Sequence, residues 1–254
     1  MDATALIEAR GLVKEYRKAR VVDNVSLFIR RGETLGLVGE SGSGKSTVAR
    51  LLLRLEKATA GVVKYKGLDL QSMQSHQSRE MRRNMQIVFQ DPYAALNPRM
   101  RIRQILTEPF EIHRESLSED LSSRLKEMLR SVGLDESVLE RFPHEFSGGQ
   151  RQRINIARAL ALKPEFVVLD EPVSALDVSV AAQILNLLQN LQREHGLTYL
   201  FISHSMPLVR YLCDRVAVLQ HGQLVESGAC SQVCDAPLNE YTRRLIAATP
   251  QIQL

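Results

Sequence analysis

Apolar residues fall along this chain in short runs that alternate with longer segments of helical spacing. Leu6-Ile7-Glu8-Ala9-Arg10, Val21–Val25 and Ser26–Arg30 read as strands, with a turn at Arg31-Gly32-Glu33. The run Thr34–Val38 and the segments Gly61–Tyr65 and Met85–Gln90 predict further strands. From about residue 100 to 160 the period becomes helical: Leu121, Leu125, Met128 and Leu129 share one face, and Gly133 follows as a cap. Phe166–Leu169 is continuously apolar, as a strand buried on both faces requires. A helix through Ile184, Leu185, Leu188 and Leu191, the strand Thr198–Ser203 and a helix from Pro207 come next. Arg215–Leu219 and Gln223–Glu226 flank a His221-Gly222 turn. Strands alternating with helices predict an α/β fold with a mostly parallel sheet. The helix-rich middle predicts an inserted helical subdomain.

Composition narrows the class without naming a function. The chain has 254 residues, 44% of them hydrophobic and 24% charged, ordinary proportions for a globular protein. No apolar run approaches the roughly 20 residues that span a bilayer, and the acidic start Met1-Asp2-Ala3 does not read as a signal peptide. The three cysteines, Cys213, Cys230 and Cys234, lack a disulfide pattern and read as free thiols. A net charge of +4 permits an anionic partner. The basic cluster Arg79, Arg82, Arg83, followed by Arg99, Arg101 and Arg103, has no interleaved aromatics for stacking bases and reads as a solvated face. No nucleic-acid partner is expected.

Three motifs carry chemistry. Gly39-Glu40-Ser41-Gly42-Ser43-Gly44-Lys45-Ser46-Thr47 lies between a predicted strand and a predicted helix, the setting a phosphate-binding loop needs. Its glycines let backbone N–H groups surround phosphate oxygens, Lys45 reaches the β- and γ-phosphates, and the Ser46 hydroxyl faces Mg²⁺. Asp170 and Glu171 end an apolar strand. There an aspartate holds Mg²⁺ and a glutamate orients or deprotonates the attacking water. Ser147-Gly148-Gly149-Gln150 opens a helical stretch, either as a plain N-cap or as a second anion site. One nucleotide does not need two such sites from one chain, so the surplus suggests that each chain lends one to a second subunit.

The phosphate loop, Ser-Gly-Gly-Gln, apolar-Asp-Glu, Ser174-Ala175-Leu176-Asp177 and His204, in that order, resemble the nucleotide-binding subunit of an ABC transporter over residues 5 to about 245. The resemblance implies a P-loop NTPase core with an antiparallel β subdomain (residues 5–90 and 161–228), a helical signature subdomain (91–160) and a short extension (229–254). It implies that Tyr16 stacks on adenine and that Gln90 senses Mg²⁺ and water while contacting the membrane partner. Ser147, Gly148 and Gly149 would touch the γ-phosphate bound to the opposite subunit, with Gln150 beside them. Asp177 would communicate across the dimer, and His204 would contact the γ-phosphate and hold Glu171. Tyr16 and His204 rest on this resemblance, since a lone aromatic or histidine is otherwise structural.

Asp91–Met100, Ser174–Val180 and Tyr241–Ile246 resemble the branch that imports peptides, nickel and related small solutes. Ser205 after His204, and Leu238-Asn239-Glu240 before Tyr241, depart from the usual pattern. The implied protein binds and hydrolyses ATP with Mg²⁺ and sits peripherally on the cytoplasmic face of the inner membrane. It would work with integral-membrane permease subunits and an extracytoplasmic solute-binding protein, as a homodimer or with a paralogous ATPase subunit. The rivals are an ABC-type ATPase acting on ribosomes or DNA, and a regulatory subunit that holds ATP without hydrolysing it. Which solute is carried is not legible in these residues.

Overall fold

The structure, a computed structural model, describes residues 5–17, 19–114 and 121–248; positions 1–4, read against a signal peptide, and 249–254 of the expected extension lie outside the described residues. By contact the chain forms two compact units, Met1–Ser78 with Gly196–Leu254, and Arg79–His195.

The first unit opens with a long hairpin, β1 (Ala5–Tyr16) and β2 (Ala19–Arg30). The sequence pattern splits β2 into two strands, and the structure shows why it is one. Asn24 adopts φ 53 and the β1–β2 register slips near Leu12 and Lys14, so the alternation breaks while the pairing continues. Next come β3 (Thr34–Val38), buried at every residue, and α1 (Lys45–Leu52), which buries Val48, Ala49, Leu51 and Leu52. β4 (Ala60–Tyr65) returns antiparallel to β1 and the short β5 (Leu68–Asp69) extends the edge, giving the order β2-β1-β4-β5. This is the expected antiparallel sheet. The helix α2 (Ser75–Asn84), which belongs to the second unit from Arg79 on, has no apolar stripe for sequence to reveal, since Met81 is its one buried residue.

In the second unit, β6 (Met85–Val88) stops short of the predicted Gln90. The short α3 (Pro92–Ala95) is capped by Asp91, whose carboxylate accepts the Tyr93 N–H at 2.8 Å. α4 (Ile102–His113), α5 (Leu121–Ser131) and α6 (Gly148–Leu160) form the predicted helical region. Phe110, Ala161 and Leu162 are buried together, with Leu121 and Met128 packed against them. The predicted face of α5 is therefore the one that turns inward. β7 (Phe166–Asp170) runs parallel to β6, with Met85 opposite Phe166, and α7 (Val178–His195) follows.

The chain then returns to the first unit through β8 (Thr198–Ser203), α8 (Met206–Leu212), β9 (Arg215–Gln220) and β10 (Gln223–Ala229). Two short helices, α9 (Cys230–Asp235) and α10 (Glu240–Ala247), close the described chain. β3 lies between β8 and β9, parallel to both, and β10 pairs antiparallel on β9. Side-chain bonds peg the starts of these strands. Thr198 Oγ1 accepts the Gly32 N–H at 2.9 Å, and Asp214 accepts the Thr34 N–H at 2.8 Å. Arg215 pairs with Glu33 at 3.0 Å while covering the Phe28 ring.

The centre of this sheet depends on large apolar side chains that water never reaches, Leu35, Leu37, Leu200, Phe201 and Ile202 among them. Phe201→Ala is expected to lower unfolding free energy by about 3–5 kcal/mol, the cost of an unfilled aromatic site. Urea denaturation of the full chain, comparing midpoints at equal slope, measures it.

Candidate functional site

In the first unit the predicted phosphate loop links β3 to α1 and folds back on its neighbours. Gly39 has φ 152, and a Cβ there would stand 2.1 Å from the Leu219 carbonyl oxygen. Gly44 has φ 103, and its Cβ would stand 2.6 Å from the Val21 carbonyl oxygen. No side chain with a Cβ fits either place. The Gly222 N–H donates to Ser43 O at 3.0 Å, tying the loop to the β9–β10 turn. Gly44 also caps α1 without a side chain, so the positive end of the helix faces the loop. Lys45 is buried, and its Nζ donates to Gly39 O at 2.9 Å and Glu40 O at 2.7 Å. The ammonium thus sits inside the loop that it is expected to serve.

Tyr16, at the end of β1, stays 40% exposed, the condition for a stacking platform. Its hydroxyl donates to the Glu56 carboxylate, and Lys14 Nζ lies over the ring at 4.8 Å. The bond to Glu56, with burial and the Glu56 charge, raises the phenol above its ordinary value; Thr47 and Arg50 pull the other way, which places the ring beside the start of α1. Glu56 also pairs with Lys14 and Arg50. Nothing in the sequence pattern singled it out. His204 is exposed, one residue past β8.

The second unit gathers the remaining predicted residues. Gln90 lies two positions beyond β6, and its Nε2 donates to Glu171 Oε2 at 3.0 Å and Ser174 Oγ at 3.4 Å. Asp170 is the last residue of β7 and is half-buried. Glu171 takes φ 47, a left-handed conformation that costs a residue with a Cβ free energy. Its carbonyl accepts the Ser174 N–H at 3.3 Å and the Ser174 hydroxyl at 3.1 Å, which hold that turn. Gln152 on α6 is fully buried and donates from Nε2 to Pro172 O at 2.7 Å. The helix after Ser-Gly-Gly-Gln therefore grips the turn that carries Glu171. Sequence reasoning missed Gln152; it is buried beside Asn155, whose side-chain amide donates to Gln152 Oε1 at 3.4 Å, and no apolar stripe marks that polar pair.

Ser147 and Gln150 form a reciprocal cap at the start of α6. Gln150 N–H donates to Ser147 Oγ at 3.3 Å, and Ser147 N–H to Gln150 Oε1 at 3.1 Å. A Cβ on Gly149 would stand 2.5 Å from Val180 Cγ1, so the glycine lets the start of α6 approach the start of α7. Asp177 accepts the Val180 N–H at 2.9 Å and the Ser179 hydroxyl at 2.7 Å. The backbone bond from Val180, then the Ser179 hydroxyl, hold its carboxyl below the usual range. The predicted residues thus divide into two sets. Tyr16, residues 39–47 and His204 belong to the first unit; Gln90, residues 147–150, Asp170, Glu171 and Asp177 belong to the second.

The profile of the ABC transporter family matches residues 22–174, which run from β2 through the phosphate loop and the Asp170-Glu171 pair. This chain belongs to that family. It is 48% identical over 246 residues to the oligopeptide transport ATP-binding protein OppF of Bacillus subtilis, covering 96% of this chain and 79% of that one. Among solved structures it resembles cbiO1 of Clostridium perfringens, part of the ABC transporter complex cbiONQ, at 26% identity over 92% of each chain with a TM-score of 0.82. It also resembles the ATP-binding cassette MJ0796 in a dimeric post-hydrolysis state bound to ADP and Pi. That match has 28% identity, 88% of this chain and 98% of that one, and a TM-score of 0.79. The P-loop NTPase architecture expected from the motifs is the architecture found, and the ABC chain is an ATP-binding, ATP-hydrolysing subunit.

The two buried glycines make the loop testable before any chemistry is measured. Gly39→Ala is expected to lose at least about 1–3 kcal/mol of stability from backbone strain alone. Wild type is expected to melt at a higher temperature with ATP, and the variant is expected to lose that rise. Thermal melts with and without ATP measure both effects.

Proposed function

We propose that this ABC subunit powers import of peptides or related small solutes through a separate membrane permease. The observation that carries the hydrolytic part is the bond from Gln90 to Glu171, made where a buried strand ends in Asp170. Support for the solute class comes from 48% identity to an oligopeptide transport ATP-binding protein. Among the described residues no helix is long and apolar enough to cross a membrane. The assignment of permeation to other chains, with this subunit at the periphery of the membrane, is supported by the likeness to ATP-binding subunits of transport systems.

In this reading the substrate ATP stacks its adenine on Tyr16 while the backbone N–H groups of residues 39–47 wrap its phosphates. Lys45 keeps its bond to the Gly39 carbonyl and directs its other two N–H groups to the β- and γ-oxygens. Ser46, Gln90 and Asp170 offer a hydroxyl, an amide oxygen and a carboxylate, an all-oxygen donor set that suits Mg²⁺. Bound there, Mg²⁺ would neutralise charge building on the phosphate oxygens. Glu171 accepts a proton from the water that attacks the γ-phosphorus, and Gln90 aims its carboxylate. His204 contacts the γ-phosphate, the role that the family resemblance gives it. Ser147, Gly148, Gly149 and Gln150 complete the nucleotide site of a second subunit, with Asp177 at the junction. Closure around ATP and parting after hydrolysis then move the permease, which docks on the Gln90–Arg103 segment and the helices that follow. A solute-binding protein outside the membrane supplies the cargo, and the second subunit is a copy of this chain or a paralogue.

Glu171→Gln separates binding from chemistry. ATP hydrolysis is expected to fall by at least about a hundredfold, the contribution of a positioned general base. ATP-dependent dimerisation is expected to persist and to last longer. Phosphate release and size-exclusion chromatography with ATP measure the two, and hydrolysis at the wild-type rate with unchanged dimerisation would overturn the mechanism.

A further inference from the structure

We infer that Tyr241, in the C-terminal helix α10, is a positioning residue for Lys45 of the phosphate loop. Its hydroxyl oxygen accepts the backbone N–H of Glu40 at 3.1 Å, a contact between residues 201 positions apart in sequence. That N–H belongs to the same peptide group as the Gly39 carbonyl, and the Gly39 carbonyl accepts Lys45 Nζ at 2.9 Å. Because a peptide group is planar, fixing its N–H fixes the direction of its carbonyl. Donation from the N–H also polarises the carbonyl and strengthens its hold on the ammonium. One peptide is therefore tied on both sides, to Tyr241 on one and to Lys45 on the other.

The phenol is delivered by a braced element. On β10, the Glu226 carboxylate accepts the Leu238 N–H at 2.8 Å and the Asn239 N–H at 3.1 Å. Asn239 caps α10 by accepting the Tyr241 N–H at 2.8 Å, and its side-chain amide reaches Val225 O. Thr242 and Leu245 are buried beneath the helix. Burial works to raise the Glu226 carboxyl, but the nearby Thr242 hydroxyl, the two N–H groups and Arg243 outweigh it and hold it below the usual carboxylate range. At neutral pH the brace is charged and fully formed. A tyrosine that only filled space would not require its ring oxygen on a loop N–H.

The inference rests on the assignment of residues 39–47 as the phosphate-binding loop, so the experiment carries a control for that assignment. Binding of a fluorescent ATP analogue with magnesium is measured on the full chain for wild type, Tyr241→Phe and Lys45→Ala, with amide hydrogen exchange at Glu40. Tyr241→Phe keeps the ring and removes the acceptor. Its affinity is expected to fall about three- to tenfold, the worth of one hydrogen bond. The Glu40 amide should exchange faster while amides of β3 stay unchanged. Weaker binding without faster Glu40 exchange overturns the inference, because the ring would then act elsewhere. Loss of binding in Lys45→Ala with unchanged binding in Tyr241→Phe overturns the positioning role alone. Unchanged binding in both variants overturns the loop assignment with it.

Discussion

The architecture of the first unit turns on one buried charge. Lys45 carries an ammonium out of water, and an unpartnered buried ammonium would cost several kcal/mol. The carbonyls of Gly39 and Glu40 answer it, which forces the loop to curl over its own lysine. That curl brings the backbone against the carbonyls of Leu219 and Val21, so closely that Gly39 and Gly44 must lack a Cβ. The loop can hold its shape only if β2, β9 and the β9–β10 turn are already in place. Nine consecutive residues thus depend on segments scattered from Val21 to Gly222.

The second unit solves a different problem. A carboxylate proposed to meet water and a phosphate must stand at the edge of the core and still point in one direction. Glu171 does so by accepting backbone strain just past a buried strand. Such strain persists where surrounding contacts over-determine it. Here Ser174 holds its carbonyl, Gln90 holds its carboxylate, and Gln152 holds the next residue from α6. Hydrogen bonds and helix packing in this unit converge on one side chain.

Much of this was legible early. The strand, glycine loop and helix around Lys45 are contiguous, and so are Asp170-Glu171 at the end of an apolar run and Ser147–Gln150 at the start of a helix. The face of α5 followed from the spacing of Leu121, Leu125 and Leu129 because helical period alone sets it. Where the pattern misled, a backbone irregularity was responsible. β2 looked like two strands because Asn24 shifts the alternation by one position. α2 went unread because a helix that buries only Met81 leaves no stripe to count.

The sequence by itself determined the chemistry of each motif, since a phosphate loop, a strand-end carboxylate pair and a capped helix start are written within a few neighbouring residues. It did not determine which residues steady them. Gln90 meets Glu171 across 81 positions, and Tyr241 meets Glu40 across 201. Glu56 meets Tyr16 across 40. Each of these pairs joins segments whose separation in the chain says nothing about their distance in space. Strand order and the packing of helices on the sheets bring them within hydrogen-bonding reach, and only the folded chain has that order.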